Sequence, residues 1–178
     1  MQAKDLTLGG ILTALTLIAL YLTIIFKTNT LTLLTLASFM VPLGLIRGTL
    51  KTACLIYISS SLLCFLVVPL NIALLYSLFF GLYGIVKYFI EKINHLYLEL
   101  FLKLIFFNMI FFITLTLFQN LLGIHLFDSI SQLIASYWPS LPKTVGFTSL
   151  WTISQVAFLL FDYALTLLID YYINHFHH

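Results

Sequence analysis

Between Leu6 and Phe26 the chain runs for 21 residues without a charged side chain. A helix needs about 20 apolar residues to cross the hydrocarbon core of a bilayer. Inside such a run no water can pair with the backbone, and a helix satisfies every N–H and C=O within itself. The pattern recurs along the whole chain. Charges and turn residues divide it into six candidate spans: Leu6–Phe26, Leu31–Ile46, Thr52–Val68, Leu70–Ile90, Leu98–Leu122 and Gly146–Asp170. Composition agrees. Of 178 residues, 62 % are apolar and 8 % charged, against about 45–50 % and about 25 % in a soluble domain. So few charges could not cover the surface of a soluble fold. The sequence predicts an all-α integral membrane bundle of six transmembrane helices, one transmembrane domain over residues 1–178. That reading excludes a soluble enzyme, a nucleic-acid module, a disulfide framework and a disordered chain. A β-barrel would need strands alternating over about ten residues, and these apolar runs do not alternate. The first run is long enough to span and lacks a small-residue cleavage site, so it reads as a span and not as a cleaved signal.

Orientation follows from the cations. An even number of spans places both termini on one side. Lys4, Arg47, Lys51, Lys87, Lys92 and Lys103 then share that side, with Lys27 and Lys143 opposite. Short cytoplasmic loops carry the excess of Lys and Arg. The expected location is the cell membrane, multi-pass, with both termini cytoplasmic. The net charge of +2 calls for no acidic partner, and no basic run points to nucleic acid.

The loops are short except residues 123–145, between the last two spans on the outer side. Within them Leu126, Ile130, Leu133, Ile134 and Trp138 recur at helical spacing, Asp128 can cap the segment, and Pro139 and Pro142 end it. The segment reads either as a short interfacial helix or as a plain connecting loop.

The motifs of common chemistries are missing. There is no G-x-x-x-x-G-K-[ST] phosphate loop, no H-E-x-x-H, no G-x-S-x-G and no carboxylate pair at metal spacing. Cys54 and Cys64 stand ten residues apart in apolar runs, which matches no metal spacing and reads as buried inert thiols. His175, His177 and His178 form a cluster that reads as a solvated tail or a tag remnant, with weak metal binding as the other reading. The expectation is a protein that is not an enzyme, with no catalytic residues, no cofactor and no metal.

Polar side chains inside a membrane are costly and therefore informative. Asn71 and Tyr76 fall in the outer part of the fourth span, and Gln119 and Asn120 end the fifth. Trp151 and Gln155 lie in the outer half of the sixth, and His125, Trp138 and Lys143 belong to the outer loop. Apolar walls with a few directed polar groups suit a small-molecule pocket. The other reading is that these residues only decorate the interface, where Trp, Tyr and Asn are common. Trp151 and Gln155 are four residues apart and share one helical face. A doubly ionised ligand would be expensive to bury without counter-charge. The expected ligand is largely neutral, with at most one carboxylate. Asn108 sits near the middle of the fifth span. Asp162, in the inner half of the sixth, would either pair with Lys103 or Lys87 or carry a proton. In the first span Gly10 and Ala14 form a small-x-x-x-small pair, which lets another helix approach closely. That helix belongs either to this chain or to a separate subunit.

These features resemble the substrate-binding membrane subunits (S components) of energy-coupling factor (ECF) transporters. Such subunits have six helices, cytoplasmic termini and a first helix with an Ala-x-x-x-Ala motif. The corresponding stretch here is Gly9-Gly10-Ile11-Leu12-Thr13-Ala14-Leu15, with Gly where the first Ala is usual. Pro42-Leu43-Gly44-Leu45-Ile46-Arg47-Gly48 resembles their turn between the second and third helices. The fourth span, Pro69-Leu70-Asn71 through Gly81 and Gly84, is also similar. The resemblance implies that a small-molecule nutrient such as a vitamin binds in an outer pocket formed by Asn71, Tyr76, Gln119, Asn120, His125, Trp138, Lys143, Trp151 and Gln155. It also implies docking through Gly10 and Ala14 onto a membrane coupling subunit driven by two cytoplasmic ATPase subunits.

Two further functions fit the layout. One is a structural membrane protein of cell-envelope assembly with no small-molecule ligand. The other is an ion-coupled secondary transporter using Asp162, although residues 1–90 and 91–178 show no repeat of the kind such transporters often carry.

Overall fold

The computed structural model describes residues 3–123, 132 and 144–176, which are helical almost throughout, with no strand among them. Six helices carry the fold: α1 Ala3–Ile25, α2 Thr30–Arg47, α3 Leu50–Val67, α4 Leu70–Glu91, α5 Leu96–Leu122 and α6 Thr144–Phe176. All six are long and apolar enough to cross a membrane. Each takes up one predicted span, with ends displaced by a few residues. A charge stops an apolar run, but it does not stop a helix. Lys4 and Asp5 lie in the first turns of α1, and α6 continues past Asp170 to Phe176. The helices stop where local chemistry stops them. Thr49 and Thr52 form a reciprocal capping pair at the start of α3, each side chain meeting the other's backbone N–H at 3.4 Å. Pro69, at φ −56°, leads into α4. Gly123, at φ +63°, takes the left-handed conformation that ends α5. The short helix expected within residues 123–145 lies outside the described residues.

The chain divides into two compact units, residues 1–103 with 164–178, and residues 104–163. The first unit contains α1 to α4, the start of α5 and the end of α6. Leu12, Val41, Ala53, Ile56 and Ile85 form its core. In lipid the hydrophobic effect does not drive helices together, so close packing must. Gly44 and Gly84 supply it. A Cβ on Gly44 would stand 2.2 Å from Ile56 Cδ1, and one on Gly84 would stand 2.7 Å from Pro42 Cδ. Three buried threonines of α1 are satisfied locally. Thr13, Thr16 and Thr23 donate to the carbonyls of Gly9, Leu12 and Leu20 at 2.8, 2.8 and 2.6 Å, and so pack as small, nearly apolar side chains.

Helix directions follow from the contacts. Ser38 meets Phe80, and Pro42 meets Gly84, so α2 and α4 run parallel. Ser60 meets Tyr76 and Cys64 meets Ala73, so α3 and α4 run antiparallel. Lys4, Arg47 and Tyr172 line one cleft. The start of α1, the end of α2 and the end of α6 therefore share one end of this unit, as an even number of spans requires.

α4 is not uniform. A π-helical turn, Tyr76–Phe80, separates Leu70–Leu75 from Gly81–Glu91. Two carbonyls of that turn accept hydroxyls from neighbouring helices, Phe80 from Ser38 at 2.6 Å and Ser77 from Tyr57 at 2.9 Å. An irregular turn inside apolar surroundings survives only if its backbone groups find such partners. Apolar periodicity cannot reveal one inserted residue, and the sequence predicts an unbroken helix here.

The second unit pairs the later part of α5 with the first part of α6. Phe107 stacks on Phe158, with ring centroids 4.6 Å apart and planes 16° apart, and on Phe111 at 5.7 Å. Ile110, Phe118 and Phe161 are buried as well.

Candidate functional site

In the second unit, three polar side chains meet within membrane-length helices. Asn108 lies near the middle of α5. Its Nδ2 donates to the Leu104 carbonyl, one turn back, at 2.8 Å. Its Oδ1 accepts from Trp151 Nε1 at 2.7 Å and from Gln155 Nε2 at 2.9 Å. Two N–H donors converging on one atom require an oxygen there, which fixes the orientation of the Asn108 amide. Trp151 and Gln155 share one face of α6, as their spacing predicts. The Trp151 side of the cluster is open, with 40 % of the residue exposed. Gln155 Oε1 is buried and has no hydrogen-bond partner among the described residues. A buried acceptor left unpaired costs about 1–3 kcal/mol. The chemistry open to this cluster is hydrogen bonding and stacking. An indole face, an amide pair and an unmet acceptor can hold a small molecule that brings an N–H or O–H, whereas none of the three side chains is a nucleophile or an acid–base group.

The other predicted site residues are distributed as follows. Asn71 and Tyr76 belong to the first unit. Asn71 is exposed at the start of α4. Tyr76 is fully buried, and its hydroxyl lies 2.7 Å from Ser60 Oγ. Gln119 and Asn120 are exposed near the end of α5. His125, Trp138 and Lys143 lie outside the described residues. Asn108 is the member that sequence reasoning did not include. The available signal was a lone amide at mid-span, together with two donors on one face of the next span that would need an acceptor.

A second polar cluster lies in the first unit. Lys87, only 1 % exposed, reaches Glu91 Oε1 at 2.7 Å and Thr166 Oγ1 at 2.7 Å. Lys103, also buried, reaches the same Glu91 oxygen at 2.9 Å. Buried cations need such pairing to be tolerated. Both lysines converge on Glu91, an acid that sequence reasoning did not single out. Its position four residues after Lys87 sets the two on one helical face. Among the described residues no three His, Cys, Asp or Glu side chains converge as a metal site would require.

On α1 the adjacent glycines serve different faces. A Cβ on Gly9 would stand 2.9 Å from Leu55 Cδ2, while one on Gly10 would meet nothing within 4 Å. Gly10 and Ala14 are both exposed. The close helix approach within this unit therefore uses Gly9, and the Gly10–Ala14 flank is left open.

Compared with known proteins, the chain matches no family profile, no curated protein and no solved structure.

Proposed function

We propose that this multi-pass membrane chain is the substrate-recognition subunit of an ECF-type uptake transporter, binding a small, largely neutral nutrient on the outer side. The observation that carries the reading is the cluster of Asn108, Trp151 and Gln155, with its unmet acceptor inside apolar surroundings. Polar groups held at membrane depth are expensive unless they serve a purpose. The open Gly10–Ala14 flank supports the second half of the proposal, docking onto a membrane coupling subunit that two cytoplasmic ATPase subunits drive. The excess of cations on the side of the chain ends supports cytoplasmic termini in the cell membrane.

Native mass spectrometry of the purified full chain tests the reading. The expected result is a retained small molecule that Gln155→Ala and Trp151→Ala both release. A protein that holds no small molecule and co-purifies with cell-envelope enzymes would replace this reading with the scaffold. Uptake by liposomes lacking ATPase subunits, abolished by Asp162→Asn, would replace it with an ion-coupled transporter.

A further inference from the structure

A cleft of about 890 Å³ opens in the first unit where the start of α1, the end of α2 and the end of α6 come together. Its chemistry is graded along the helix axes. Lys4, Asp5 and Arg47 stand at the helix ends, and Leu8, Ile11 and Ile46 line the walls. Lys4 and Ile11 are seven residues apart on α1, about 10 Å along the axis at 1.5 Å per residue. Arg47 is held in place from one side. Its guanidinium lies 5.1 Å from the centroid of the Tyr172 ring, and its Nε donates to the Tyr172 hydroxyl. A guanidinium has five N–H donors in a planar fork that fits two phosphate oxygens, and among the described residues Tyr172 takes one of them. Asp5 offsets one cation and leaves the lining with a net positive charge.

We propose that this cleft seats one anionic phospholipid, its phosphate between Lys4 and Arg47 and the first carbons of its chains against Ile11 and Ile46. The argument is complementarity. Along α1 the lining is charged at Lys4 and Asp5 and apolar one to two turns deeper at Leu8 and Ile11, which matches the order of groups along a phospholipid. Basic pockets between membrane helices at this level bind anionic headgroups. A zwitterionic lipid has the same chains but presents no net charge to Lys4 and Arg47. The inference stands apart from the nutrient site, which lies in the other unit.

The test uses the full chain in mild detergent, incubated with equal amounts of phosphatidylglycerol and phosphatidylcholine of identical chains and examined by native mass spectrometry. The expected result is one phosphatidylglycerol retained in preference to phosphatidylcholine. Lys4→Gln and Arg47→Gln should each lower that retention about fivefold. Lys51→Gln, an exposed cation outside the cleft, should leave it unchanged. Lys4 is exposed, so its variant keeps the test decisive if Arg47→Gln does not fold. Equal retention of the two lipids would overturn the proposal, as would an equal loss in Lys51→Gln. Displacement of the lipid by millimolar inorganic phosphate would overturn it too, because the cleft would then be a site for a soluble anion.

Discussion

Replacing Gly84 with Ala adds one methyl group where α4 crosses α2. That carbon would stand 2.7 Å from Pro42 Cδ, 3.0 Å from Pro42 Cγ and 3.4 Å from Val41 Cβ. Ordinary carbon contacts begin near about 3.5 Å, so the nearest pair overlaps by most of an ångström. A long side chain could swing aside, but the Pro42 ring is closed onto its own backbone and cannot. The two helices must separate instead. Overpacking of this kind costs about 1–3 kcal/mol. Separation also lengthens the 2.6 Å bond from Ser38 to the Phe80 carbonyl, a membrane hydrogen bond worth about 0.6–1.7 kcal/mol. Ala is the better helix former by about 1 kcal/mol, which offsets roughly the hydrogen-bond term. The net expectation is a loss of about 1–3 kcal/mol. Reversible unfolding in mixed micelles, titrated with sodium dodecyl sulfate and followed by circular dichroism, measures it. Gly10→Ala is the paired control, because a Cβ there meets nothing within 4 Å and should leave stability equal or higher by up to about 1 kcal/mol. If Gly84→Ala proved as stable as Gly10→Ala, the packing argument for α2 and α4 would be wrong.

Three other substitutions probe the polar contacts. Asn108→Ala removes the acceptor shared by Trp151 and Gln155 and should cost about 1–2 kcal/mol in the same titration, with a blue-shifted change in the fluorescence of Trp151; an unchanged midpoint and spectrum would refute the cluster. Ser38→Ala and Tyr57→Phe each remove one donor to the π-helical turn, and each should cost about 1 kcal/mol. Their double variant should depart from the sum by at least about 0.5 kcal/mol, because both brace one turn; strict additivity would show that the turn does not couple them. Glu91→Gln takes away the carboxylate on which Lys87 and Lys103 converge and should cost about 1–3 kcal/mol, between the values for exposed and fully buried pairs, whereas Glu99→Gln, on the early part of α5, should change the midpoint little.

The six helices, and the shared end for the start of α1 and the end of α6 within the first unit, were legible in the sequence. Both rest on local physics. Length decides whether a run can cross a bilayer, and the backbone inside it must pair with itself whatever its neighbours are. The shared face of Trp151 and Gln155 was legible for the same reason, since spacing on one helix sets it. The partners were not. Asn108 is distant in sequence from both residues it joins, and nothing in either span names the other. Gly9 and Gly10 are neighbours of one type, yet one packs against Leu55 and the other is open. Leu20 is wholly buried while Leu66 is 83 % exposed. In a soluble helix a polar face would mark the outside. Here lipid makes both faces apolar, so hydrophobicity loses its power to say which side is in. Shape and a handful of hydrogen bonds take over that choice, and they exist only once the helices have met.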